Sequence, residues 1–216
     1  MNQQETAFMG RITAGLSHEI NNVLAIIKES AGLMDDIIRL CPENVVPHQD
    51  RLVKAVDNIR KQVDRGVDIV TGLNRFAHSM DESRARIDLN ELTARMVFLM
   101  QRFGRKRRIR LSAVPHPEPV MIETDPFCLE MLLAAGVDFC LDRAEEGSSL
   151  VLQVRLVDDR PAVWMGSGPD LSPTTFSVKE PCPGDLLPLE EDLEHLKADI
   201  FVVGTASAPG LLMQFR

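Results

Sequence analysis

The sequence predicts an α+β protein in which an N-terminal helical hairpin forms a dimeric four-helix bundle and an α/β sandwich follows it. Three observations carry that expectation. Two long stretches repeat apolar residues at steps of three, four or seven, and a proline-bearing connector separates them. Past position 83 the pattern changes to shorter helices alternating with strand pairs. The domains expected are therefore residues 1–82 and 83–216.

From Gln4 to Leu40 there is no proline, and Met9, Ile12, Leu16, Ile20, Val23, Ile27 and Met34 form a heptad-like stripe. Cys41-Pro42 ends it, and Pro42 and Pro47 punctuate a connector reaching His48. A second stripe runs through Leu52, Val56, Ile59, Val63, Val70, Leu73 and Ala77. Two such helices around a short connector make a hairpin. One hairpin cannot bury both stripes and their flanks, so a homodimer is expected. The alternative is a monomer whose second domain covers the hairpin.

Asp81 to Ile87 is polar and reads as a linker. Leu89 to Phe103 reads as a helix with Leu89, Leu92, Met96 and Leu99 on one side. Ile109–Val114 and Val120–Glu123 read as strands. Asp125-Pro126 opens a further helix to Ala144, with proline in its first turn. Leu150–Val157 and Ala162–Met165 alternate as strands across Asp158-Asp159-Arg160-Pro161. Leu189–Ala198 is helical, and Ile200–Val203 and Leu211–Phe215 close the chain as strands. This order puts helices on one face of a mixed sheet.

The 216 residues, 44% apolar and 26% charged, suffice for a core without a disulfide or metal staple. A net charge of −8 argues against nucleic-acid binding, which needs Lys and Arg to displace counterions. The basic run Arg105-Lys106-Arg107-Arg108 reads as a solvated helix end. Cys41, Cys128, Cys140 and Cys182 lack CxxC spacing, which fits buried thiols in a reducing cytosol and no metal site. With no signal peptide and no apolar run of about 20 residues, a cytoplasmic protein without membrane contact is expected. Its signal would then come from another soluble protein. His48, His78, His116 and His195 show no metal-like partner at i+3 or i+4 and read as ordinary surface or interface residues.

His18 stands apart from these. On a wheel of about 100° per residue with Leu16 at zero, His18 falls at about 200°, nearly opposite the core. Ala25 (about 180°), Arg11 (about 220°) and Asn22 (about 240°) share its strip, and Glu19 flanks it at about 300°. This is an exposed imidazole in mid-helix, a good nucleophile toward phosphorus and a good leaving group afterwards. The stretch Leu16-Ser17-His18-Glu19-Ile20-Asn21-Asn22-Val23-Leu24 resembles the phosphoacceptor box of bacterial sensor histidine kinases. Val23 departs from it, since many members have proline there. The resemblance implies that His18 carries the phosphoryl group, that Glu19 orients or deprotonates the imidazole, and that Asn22 can position a water. Asn21, Ala25 and Lys28 would meet the receiver domain of a response regulator. From the wheel alone, Arg11 or Lys28 could steady phosphate oxygens.

The rest of the chain resembles the ATP-binding domain of that family, through Ile87-Asp88-Leu89-Asn90-Glu91-Leu92, then Asp125-Pro126-Phe127-Cys128-Leu129, then a glycine pair. Its nucleotide positions are replaced. Phe139 stands at the magnesium-holding Asn, with Asp138 adjacent and Asp142 one turn on as shifted registers. Trp164 stands at the adenine-binding Asp before Gly166-Ser167-Gly168, where its indole would fill the adenine space. After Phe176-Ser177-Val178-Lys179-Glu180-Pro181, only Gly184 remains of a glycine-rich phosphate loop, beside a repelling Asp185, and the lid looks shortened. The second domain therefore resembles a degenerate histidine-kinase ATPase domain. No cofactor and no ATP are expected, and magnesium would come with the partner receiver. An intact phosphoacceptor helix joined to such a domain resembles the two-domain histidine phosphotransferases, which relay phosphoryl groups between receiver aspartates. The alternatives are a receiver phosphatase using Asn22, a docking or inhibitory module without chemistry, and a genuine kinase, which would need ATP.

Overall fold

The structure, a computed structural model, describes residues 3–40, 49–167, 190–205 and 208–216. The described chain divides into two compact units, Met1–Arg75 and Phe76–Arg216. The division falls seven residues before the boundary expected at 82, because the last turn of the second helix belongs with the second unit.

The first unit holds α1 (Gln3–Leu40) and most of α2 (Gln49–His78). Side chains of α1 buried within the chain are Phe8, Ile12, Leu16, Glu19, Val23, Ser30 and Ile37. On α2 they are Ala55, Ile69 and, in the second unit, Phe76, with Ile59 and Leu73 half-buried. These positions keep a heptad period, so the helices meet along one seam. Two seam positions of α1 are polar, and each has a polar partner on α2. Arg65 pairs with Glu19, and Asn58 Nδ2 donates to Ser30 Oγ at 2.9 Å. Such pairs leave few acceptable registers, because a slip would bury them unpaired.

The expected stripes were each a mixture of two faces. Ile20, Ile27 and Met34 are only half-buried, and Val56, Val63 and Val70 are exposed. Each helix thus carries a second heptad stripe. On α1 it is Ile20, Leu24, Ile27, Met34 and Ile38; on α2 it is Val53, Val56, Val63, Val67 and Val70.

The second unit begins with β1 (Ala85–Asp88), in the segment read as a linker. Polarity suggested a loop; pairing decides otherwise, since β1 runs antiparallel to β3 (Met121–Thr124). Between them lie α3 (Leu89–Lys106) and β2 (Arg110–Val114). Asp88 caps α3 through its side chain, which accepts from Asn90 N at 2.9 Å. Asp125 caps α4 (Pro126–Arg143) by accepting from Cys128 N at 2.9 Å, with Pro126 in the first turn. The chain continues through β4 (Ser149–Val157), β5 (Arg160–Ser167), α5 (Glu190–Leu196), β6 (Ala198–Thr205) and β7 (Ala208–Phe215). Asp158 and Asp159, both at positive φ, make the two-residue turn between β4 and β5. Arg160 and Pro161, read as turn, are already in the strand.

The five-stranded sheet has the order β2-β4-β5-β7-β6. Only the β2–β4 pairing is parallel. Helices α3 and α4 pack on one face: a methyl built on Gly136 of α4 would meet Met165 and Met213. Ala162, Trp164, Val203 and Leu212 cluster on the opposite face. The fold is a helical hairpin followed by an α/β sandwich.

Candidate functional site

Helix α1 runs unbroken through residues 16–24, and Val23, where the kinase box often has proline, is buried in the seam. His18 is exposed, two residues from buried Leu16 and five from buried Val23. One turn on, Asn22 is exposed too, and its Nδ2 lies 3.3 Å from His18 Nδ1. Which amide atom faces the ring sets the tautomer. With Oδ1 turned to it, Nδ1–H donates to the amide and Nε2 presents its lone pair to water. Asn21, Ala25 and Lys28 are exposed on the same stretch.

Two expected members of this strip lie elsewhere. Glu19 is buried, and its carboxylate pairs with Arg65 of α2, so it sits in the seam rather than beside the imidazole. To reach the ring it would have to leave that pair. Arg11 is half-buried, with its guanidinium 5.9 Å from the centre of the Phe8 ring. Sequence reasoning missed Arg65 and Asn58. The signal was there: positions 12, 16, 19, 23, 30 and 37 continue one stripe, so polar Glu19 and Ser30 within it demand polar partners.

In the second unit, Phe139 is buried on α4, and Arg143 stacks over its ring at 3.7 Å. Asp138 is half-buried, and exposed Asp142 pairs with Arg107. Trp164 lies on β5. It is buried, but strand alternation turns it to the face away from α4, so the indole does not fill space between β5 and α4. On the α4 side, Met165 and Met213 take that space against Gly136. Trp164 instead packs with Leu212 and Val203, and the Arg155 guanidinium lies 5.4 Å from its ring centre. Gly168, Phe176–Pro181, Gly184 and Asp185 lie outside the described residues, as do His48, Cys41 and Cys182.

Glu130, also missed from sequence, is fully buried on α4. Arg95 Nε donates to its Oε1 at 2.8 Å, and its Oε2 lies 2.8 Å from Ser79 Oγ. Burial raises its pKa above the usual carboxylate range, with Arg95 and Ser79 opposing. Among the other histidines, His78 does have an acidic partner three residues on, since its Nδ1 lies 2.6 Å from Asp81 Oδ2. His195 lies 3.7 Å from Asp125. Among the described residues no group of three His, Cys, Asp or Glu side chains could hold a metal. No described helix is long and apolar enough to cross a membrane.

No protein-family description matches the chain. Over 131 residues, 61% of the chain, it is 30% identical to the sensor histidine kinase ZraS of Klebsiella oxytoca. The chain spans about a quarter of that relative, the match covering 27% of its length. The catalytic domain of histidine kinase ThkA is similar at a TM-score of 0.48 and 16% identity, covering 62% of this chain and 95% of that one. Histidine kinase ThkA in complex with the response regulator protein TrrA is similar at 0.46 and 15% identity, covering 99% of this chain and 63% of that one. Over the matched residues the chain is similar in sequence to that sensor histidine kinase.

Proposed function

We propose that this chain is a histidine phosphotransfer protein of two-component signalling, carrying a phosphoryl group on His18 between receiver aspartates. The observation that carries the reading is an exposed imidazole in mid-helix with the Asn22 amide against Nδ1. The Nε2 lone pair attacks the phosphorus of a receiver aspartyl phosphate in line. The N–P bond forms as the P–O bond to the aspartate breaks, and the receiver carboxylate leaves. With its Oδ1 turned to the ring, the Asn22 amide accepts the Nδ1 proton and keeps Nε2 the nucleophile. Asn21, Ala25 and Lys28 form the receiver-facing surface, with Lys28 as the charge toward phosphate. Glu19 acts from the seam, tying α1 to α2 through Arg65 and holding the backbone beneath His18. The second apolar stripes of α1 and α2 support pairing of two hairpins into a four-helix bundle.

The reading includes no ATP chemistry in this chain, and magnesium belongs to the receiver. The residues at the matching positions do not fit a nucleotide. Phe139 offers no ligand to magnesium and lies under Arg143, and Trp164 offers only a donor and faces away from α4. A second reading is favoured by Asn22 itself: beside His18 and exposed, it could place a water on a receiver's aspartyl phosphate, making the chain a receiver phosphatase.

Labelled receiver incubated with the chain separates the two. Transfer predicts label on the chain that His18→Gln abolishes. The phosphatase reading predicts release of inorganic phosphate that Asn22→Ala slows more than His18→Gln does. Unlabelled chain and unchanged receiver would remove both.

A further inference from the structure

The end of α3, the start of β2 and the α4–β4 connection line an open surface cleft of about 430 Å³ within the second unit. Its wall includes Gln101, Arg105, Arg108, Arg110, Ser148 and Ser149. No acidic side chain and no aromatic ring lines it. Ser148 Oγ and Gln101 Oε1 are buried there without a protein hydrogen-bond partner. Buried polar atoms are normally satisfied, and both residues line the cleft, where a polar occupant would give their side chains a partner on turning toward it.

The backbone fixes the wall in advance. Ile109 N donates to Gly104 O at 2.9 Å, Gly147 N to Arg108 O at 3.1 Å, and Arg110 N to Ser148 O at 3.1 Å. Gly147 holds a φ of +84°, a conformation that other residues rarely adopt. Of the arginines in the wall, Arg108 pairs with Glu146; Arg107, outside the wall, pairs with Asp142. The basic run that reads from sequence as a solvated helix end thus also forms one side of a concave site.

We propose that this cleft binds a small polyvalent oxyanion of the phosphate class, independently of any role of His18. Guanidinium groups match phosphate oxygens in charge and fork geometry. The Ser148 hydroxyl donates, and the Gln101 amide can turn its N–H groups to an oxygen. Without an aromatic platform there is nothing to stack a base, so recognition rests on the phosphate groups. The source is either free inorganic pyrophosphate or the phosphate of a small organic ester.

The test titrates the full-length chain with pyrophosphate, inorganic phosphate, glucose 6-phosphate and sulfate, reading the Gly147 and Ser148 amide resonances and heats of binding. Saturable shifts are expected, with pyrophosphate or the sugar phosphate binding about tenfold more tightly than sulfate. Whichever of the two binds more tightly identifies the source. Arg105→Gln with Arg110→Gln weakens binding by about tenfold or more, and Arg110→Gln alone, on an exposed edge-strand side chain, weakens it while leaving the thermal midpoint in place. Arginines serving only to offset the carbonyl end of α3 predict no saturable shift. That outcome at about 10 mM pyrophosphate, or equal binding by the double variant, overturns the proposal.

Discussion

His18 and Cys140 show how position decides whether a side chain can react. The imidazole of His18 stands in water with Asn22 against one nitrogen. The thiol of Cys140 is buried on α4, with Sγ 3.8 Å from the Met165 carbonyl oxygen. Burial pushes its pKa up to about 12. The thiolate is the reactive form, so Cys140 is inert at neutral pH. Alkylation of the native chain at pH 8 followed by peptide mapping is expected to leave Cys140 unmodified, and labelling after denaturation to modify it. Rapid native labelling of Cys140 would show that α4 opens more readily than its packing implies.

The sequence signals at single positions were uneven in value. The exposure of His18 follows from helical periodicity alone, because one wheel angle places it opposite Leu16. The inward turn of Glu19 was less visible. A glutamate beside a histidine reads as its partner unless the seam is traced through both helices. Trp164 was harder still, since strand alternation gives two faces and only the neighbouring strands say which one the helices cover.

Among helices and strands, the hairpin carries the most testable feature. Val63 and Val70 of α2 are 48% and 47% exposed, and Leu24 of α1 is 57% exposed. Buried in a dimer, each such side chain contributes on the order of 1.5–3 kcal/mol. Sedimentation of Val63→Glu with Val70→Glu is expected to give the mass of one chain with helicity retained, where the unsubstituted chain gives twice that mass. A monomeric unsubstituted chain at micromolar concentration would contradict the paired bundle.

Within the second unit, the contact of Ser79 with Phe76 and Glu130 makes a second prediction. Ser79 Oγ lies 2.7 Å from the Phe76 carbonyl and 2.8 Å from Glu130 Oε2. One hydroxyl proton cannot serve both acceptors, whereas a protonated Glu130 donates to Ser79 while Ser79 donates to Phe76. Burial raises the folded-state pKa of Glu130 in the same sense. Between the unfolded and the raised folded pKa the native chain holds the extra proton. This contribution to stability is full below that window and is lost as pH rises through it. Urea midpoints measured from pH 4 upward are expected to fall less steeply for Glu130→Gln than for the unsubstituted chain. Identical slopes would mean that Glu130 stays ionised through the range.

Across the full chain, the order of helices and strands was legible because apolar period changes at each boundary and Asp88, Asp125 and Pro126 mark helix starts. The exception, β1, is a short strand whose polar sequence gives no local signal and whose partner lies 33 or more residues away. The site was legible as a helix with one exposed histidine. Its electrostatics were not, because Arg65 and Glu19 are 46 residues apart and meet only through the seam. The same holds for the oxyanion cleft, whose walls come from three separated segments.

The proposed relay requires phosphate to reside on one nitrogen, Nε2 of His18. Its most direct test is tandem mass spectrometry, under alkaline conditions that preserve N–P bonds, of chain recovered from incubation with a phosphorylated receiver. One phosphoryl group, on His18, is expected. Phosphate on another residue, or an unmodified His18 while the receiver loses its phosphate at a rate that His18→Gln leaves unchanged, would contradict it.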